Sequence, residues 1–290
     1  MKRHLIALVL STVTFASVAD DKVLLGIVEE PQCKKQPEMV VRPLFANSNG
    51  KWIALNSSSR ARTFLSKEVS WFVVAGGKSR QRLSSVDVGI KPDPEWTYPR
   101  DFWHLPKLAD DLKATPNTSG LFVGWCDAPK IRPFALTTRG GVSDPELWSS
   151  STLPMPSSTQ LAQAFRRSLK GTRLCLDGDK PRPYQLNSRD ISVTTRVVST
   201  KGISLVELRL KRNTIECQSE RGDALGSRWF VLDQTTIRYL GSDLSLVEIA
   251  DYDKDGASEA LFWFSGYNND GYSLFSEGLR TRTDFLWNYH

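Results

Sequence analysis

Three aspartates and a glutamate fall within nine residues near the end of the chain: Asp251-Tyr252-Asp253-Lys254-Asp255-Gly256-Ala257-Ser258-Glu259. Acids stand at positions 1, 3, 5 and 9 of this stretch, and glycine at position 6. Oxygens converging from one short turn, around a residue that tolerates a sharp bend, are what a hard divalent cation requires. Like charges this close repel unless a cation or solvent separates them. The stretch therefore reads as a calcium loop. The competing reading is a solvated turn, since Asp and Gly both favour turn geometry.

The flanks decide which kind of loop this is. An EF-hand needs a bidentate glutamate at position 12 and a helix on each side. Position 12 is Phe262. Leu244 to Ile249 leads in with mixed alternation, and Ala260-Leu261-Phe262-Trp263-Phe264 leads out apolar on both faces, as a buried strand does. The context is strand, acidic loop, strand. On these residues the motif resembles the calcium loops of FG-GAP and VCBS-type β repeats. The resemblance implies that Asp251, Asp253, Asp255, Glu259 and the backbone carbonyl of Ala257 hold Ca²⁺. Position 9 is Glu where that family usually has Asp, and the chain carries one copy where a propeller needs several. The resemblance thus extends to the loop and not to a propeller. The chain also looks like exported bacterial proteins that carry a single D-x-D-x-D-G-x-x-[DE] loop near the C-terminus. Just downstream, Asp270-Gly271 reads as a hairpin turn, with Asp270 serving the turn rather than the ion.

Other chemistry lacks its residues. A Ser/His/Asp hydrolase needs a histidine base, and past the first few residues only His104 and the terminal His290 remain. There is no G-x-S-x-G elbow, no phosphate-cradling G-x-x-x-x-G-K-[ST] and no dinucleotide-binding G-x-G-x-x-G. A carboxylate pair drawn from acids such as Asp110, Asp111, Asp144 and Glu146 stays open as a hydrolytic alternative, without a spacing that supports it. Trp96, Tyr98 and Trp103, in a proline-rich stretch, are candidates for an aromatic ligand surface. The plainer reading is a long loop burying its own aromatics.

Met1 to Ala19 has a charged start at Lys2 and Arg3, a short apolar core and small residues before Asp20. That is the pattern of a cleaved secretory signal, so a periplasmic or secreted protein is expected, with no later transmembrane segment. The net charge of +6 is mild and dispersed, with no basic stripe interleaved with aromatics, so nucleic acid is not the expected partner. The sequence leaves the partner open, with carbohydrate or another envelope protein as the candidates. The four cysteines are an even number in an oxidising compartment. The expected pairs are Cys33–Cys126 and Cys175–Cys217, each within one half of the chain.

The elements that must position these residues are mostly strands. Val23–Val28, Met39–Ala46, Trp52–Leu55, Val69–Ala75, Val86–Ile90, Leu121–Trp125 and Ile131–Leu136 read as strands of a small barrel or sandwich. Asn49-Gly50 is a hairpin pair. Lys91 to Gly120 carries five prolines and is expected to be irregular. Ser158 to Lys170 is the one helix, with Leu161, Phe165 and Leu169 as an apolar stripe that needs a sheet to cover. Ile191–Val198, Ile203–Leu210, Trp229–Leu232, Ile237–Leu240 and Phe285–Tyr289 complete a meander. The chain is expected to be mainly β: a signal at 1–19, an antiparallel β domain at 20–139, a linker and helix at 140–171, and a second antiparallel β domain with the loop at 172–290. The function expected is an exported, non-catalytic β protein with a structural calcium site and a binding or structural role in the cell envelope. The alternative is a cell-envelope or polysaccharide hydrolase.

Overall fold

The computed structural model describes residues 22–29, 39–55, 70–75, 78–84, 87–90, 101–105, 133–137, 142–151, 158–169, 175–177, 180–182, 187–211, 227–233, 236–266 and 269–288. The first sheet holds β1 (Val23–Glu29), β2 (Met39–Ser48), β3 (Lys51–Ala54), β4 (Ser70–Ala75), β5 (Lys78–Ser84), β6 (Asp87–Ile90), β7 (Asp101–Leu105) and β8 (Phe134–Leu136). Its order is β5-β4-β8-β1-β2-β7-β6, with β3 paired to β2, so it is an open sheet rather than a closed barrel. β9 (Ser149–Ser150) is followed by helix α1 (Ser158–Ser168) and the short hairpin β10 (Cys175–Asp177) and β11 (Lys180–Arg182). A second sheet, in the order β15-β14-β13-β12-β9, adds β12 (Ile191–Val198), β13 (Ser204–Leu210), β14 (Arg228–Asp233) and β15 (Thr236–Ser242). The last sheet is the meander β16 (Leu244–Ala250), β17 (Glu259–Gly266), β18 (Asn269–Ser276) and β19 (Thr281–Asn288). The architecture is mainly β and antiparallel with one α-helix among the described residues.

The C-terminal meander lies between the other two sheets because its strands are apolar on both faces. From β17, Leu261 and Trp263 join a core with Leu25, Phe45, Trp71 and Phe134 of the first sheet. Ala260 and Phe262, one residue out of phase, join Leu205, Trp229 and Val231 of the second sheet. Successive strand residues point to opposite faces, so a continuous apolar run is what a strand buried on both sides requires. Edge-to-face ring pairs mark both contacts: Phe45 with Phe285 at 6.4 Å, and Trp229 with Phe262 at 5.1 Å. The buried pair Arg42–Glu29 is bidentate, at 2.9 and 2.7 Å, and the Arg42 guanidinium lies 5.6 Å over the Trp287 ring. The cation is thus paired within the first sheet and lies against a ring of the meander. On the outer face of the second sheet, α1 buries Leu161, Phe165 and Leu169 against Val206, Leu208, Phe230 and Leu232.

Four local expectations are corrected. The proline-rich stretch contains a strand, β7, because Asp101–Leu105 falls in the window free of proline between Pro99 and Pro106. The polar segment Lys78–Ser84 is also a strand. It is the edge strand of its sheet, where charged side chains are tolerated. Asp270-Gly271 is not a turn. Both residues lie within β18, and the hairpin pairing starts at Gly266↔Asn269. Gly271 is required there by close approach, since a Cβ would meet the carbonyl oxygen of Phe285 in β19. Finally, Val206, Leu208 and Leu210 alternate with Glu207, Arg209 and Lys211, a pattern that predicts one wet face for β13, but that face is wet only at its end. Glu207 is buried, accepting hydrogen bonds from Thr194, Thr195 and Arg209. Burial pushes its carboxyl up, but these bonds together hold it below the usual range.

Candidate metal centre

The acidic loop closes the β16–β17 hairpin. Ala250 pairs with Glu259, so the first and last acids of the motif meet at one end of the strand pair. The turn between them needs left-handed backbone at Lys254 (φ 64°) and Gly256 (φ 89°). The space beside Gly256 is open, so glycine is there for its conformational freedom and not for lack of room. The carboxylates organise the backbone. Asp251 accepts from the amides of Asp255 and Gly256, each at 3.1 Å. Glu259 Oε2 accepts from the amide of Tyr252 at 2.9 Å.

Asp251, Asp253 and Glu259 each place one carboxylate oxygen within 4.8 Å of the other two. An ion bound at calcium–oxygen distances of about 2.3–2.6 Å spans oxygens up to about 5 Å apart, so the three fit around one cation. Asp251 and Glu259 are buried and Asp253 is half-buried. Asp255 is exposed and outside this group of three; its Oδ1 accepts from the Ala257 amide at 2.8 Å. Ala257 is half-buried in the same turn. Asp270 is buried in β18, opposite Ser265 and Trp287, and is not one of the three.

The protein alone neutralises these acids poorly. The Glu259 carboxyl is pushed up to about 9, first by burial and then by the charge of Asp253. Asp253 is pushed up to about 6 by burial and by Asp255. Tyr252, the second loop residue, is fully buried and packs edge-to-face on Phe134 at 5.5 Å, which ties the loop to the first sheet.

Two contacts come from parts of the chain that the motif does not indicate. Asn47 of β2 donates from Nδ2 to Asp253 Oδ2 at 2.6 Å, across 206 residues. Ser143 accepts from the Asp251 amide at 2.9 Å, and its hydroxyl lies 3.5 Å from Asp251 Oδ2. Beside it, Asp144 accepts from the Ser258 hydroxyl and the Trp148 amide, while Glu146 accepts from Lys201 and the Trp148 indole. Both acids of that stretch are thus taken up in structural hydrogen bonds.

The other expected sites fall largely outside the described residues. Trp96, Tyr98, Cys33, Cys126 and Cys217 lie outside them, as do Asp110, Asp111 and residues 1–19. Trp103 is placed only by its backbone pairing in β7, opposite Val41 and Val88, and Cys175 only by its position in β10. Among the described residues no helix is long and apolar enough to cross a membrane. No protein-family model, curated protein or solved structure matches this chain, so the site is read from its own geometry.

Proposed function

We propose that the chain is an exported, non-catalytic β protein whose C-terminal layer is braced by calcium. It acts in the periplasm or outside the cell, in a binding or structural role in the cell envelope, with carbohydrate or another envelope protein as its partner. The observation that carries the calcium reading is the convergence of Asp251, Asp253 and Glu259 in a largely buried pocket of oxygens. Export is supported by the signal pattern of residues 1–19, and two disulfides by the even cysteine count. The likeness of the loop to FG-GAP and VCBS calcium loops supports the choice of cation. Asp251 and Asp253 lie in the turn between β16 and β17 and Glu259 opens β17, so all three belong to one hairpin of the middle layer, which favours a structural ion over a reactive one.

Calcium is expected to raise the melting temperature of the protein lacking residues 1–19. At a hundred times the Kd the gain is about 2.7 kcal/mol. An unchanged melting temperature under saturating calcium would rule out the site. The partner is tested by a binding screen of sugars, peptidoglycan fragments and envelope extracts, with calcium and with chelator.

A further inference from the structure

Asn47 occupies a position where the strand pattern calls for an apolar side chain. It follows Phe45 and Ala46 in β2, is paired on either side with Val23 and Trp52, and is 6% exposed. Asn is a poor strand former, and a buried amide needs partners. Its donor is directed at one atom, Asp253 Oδ2, at 2.6 Å. A neutral donor on a carboxylate forms a short, strong hydrogen bond and holds the carboxylate in one rotamer. The other oxygen, Asp253 Oδ1, takes a longer contact from the Asp255 amide at 3.3 Å.

We infer that Asn47 is a positioning residue for the cation: it fixes the Asp253 carboxylate from the first sheet, so that binding at the loop and docking of the β2–β3 hairpin are one linked event. This rests on the calcium reading above. Partners that orient metal ligands without touching the metal carry a large share of affinity; their loss typically weakens binding by roughly 10–100-fold. Linkage is reciprocal, so a cation that needs Asn47 in place also holds Asn47 in place.

The test uses the whole chain without residues 1–19 and calcium chloride as the titrant, read by calorimetry. Asn47→Leu keeps the number and branching of the side-chain heavy atoms and removes the donor. It is expected to weaken calcium binding by roughly 10–100-fold. Arg228→Leu serves as the control: Arg228 of β14 donates to the Ser168 carbonyl at 3.1 Å, in the second sheet, and touches neither the loop nor the β2–β3 hairpin. It should lower stability and leave the calcium Kd unchanged. Equal Kd values for Asn47→Leu and wild type would overturn the role of Asn47 while leaving the calcium site standing. No heat of binding in the wild type would remove both. If Asn47→Leu does not fold, hydrogen exchange on the wild type decides. Calcium should slow exchange of the amides of the β2–β3 hairpin, and protection confined to residues 251–259 would overturn the inference.

Discussion

Asp253 and Glu259 are held in conditions that a carboxylate tolerates only with help. With protein alone around them they titrate near 6 and 9. A raised folded-state value means that each acid favours the fold only when protonated. Its contribution is complete below the ordinary carboxylate range of about 4. It is lost as pH climbs through about 6 for Asp253 and about 9 for Glu259. A dication reverses that trend by favouring the charged forms, and must displace a proton from Glu259 to bind at neutral pH. Calcium affinity is therefore expected to tighten between about pH 6 and pH 9, measured as Kd by calorimetry in buffers of different ionisation heat. A flat profile would place Glu259 outside the coordination. Asp253→Ala should abolish the calcium-induced rise in melting temperature; a retained rise would mean that the ion sits elsewhere.

Helix α1 illustrates how a single side chain anchors an element. Arg228, buried in β14, donates from Nη1 to the Ser168 carbonyl at 3.1 Å and to the Tyr239 hydroxyl at 3.0 Å. Its guanidinium lies 5.8 Å from the Phe165 ring and 5.7 Å from the Tyr239 ring. A cation at the last turn of a helix meets carbonyls that have no partner within the helix. Arg228→Leu keeps the apolar bulk but leaves the carbonyl and hydroxyl without this donor. It should destabilise the protein by about 1–3 kcal/mol. The loss should concentrate in α1, read as faster amide exchange there than in β17. The stripe Leu161, Phe165, Leu169 was legible as a helix face needing cover. Which sheet covers it was not, because the complementary residues Val206, Phe230 and Leu232 lie on strands whose order the local pattern leaves open.

Across the whole molecule, the meander β16–β19 supplies one wall of two cores, and the first sheet cannot close its own core without it. The Asn47–Asp253 and Thr283–Trp52 hydrogen bonds and the Arg42–Trp287 contact cross the same boundary. Shared burial of this kind couples stabilities, since exposing one layer strips apolar cover from its neighbour. The amides of β1 and those of β17 are therefore expected to lose protection at the same denaturant concentration in native-state hydrogen exchange. Separate transitions would mean that the shared core carries little free energy.

The sequence by itself determined many of the strands, the helix and the identity of the acids. Alternation marked β13 and the Asn49-Gly50 pair marked the β2–β3 hairpin, while the doubly apolar run Ala260–Phe264 marked a strand buried on both faces. These follow from rules that act over a few residues: side-chain period, turn conformation and charge spacing. The structure alone decided that Asp251, Asp253 and Glu259 converge while Asp255 falls outside that group, that Asp270-Gly271 is strand, and that Asn47 and Ser143 reach the loop. Such outcomes depend on which layers pack together. A hydrogen bond between residues 206 apart leaves no trace in either local stretch, because the free energy that brings them together is the burial of the sheets between them.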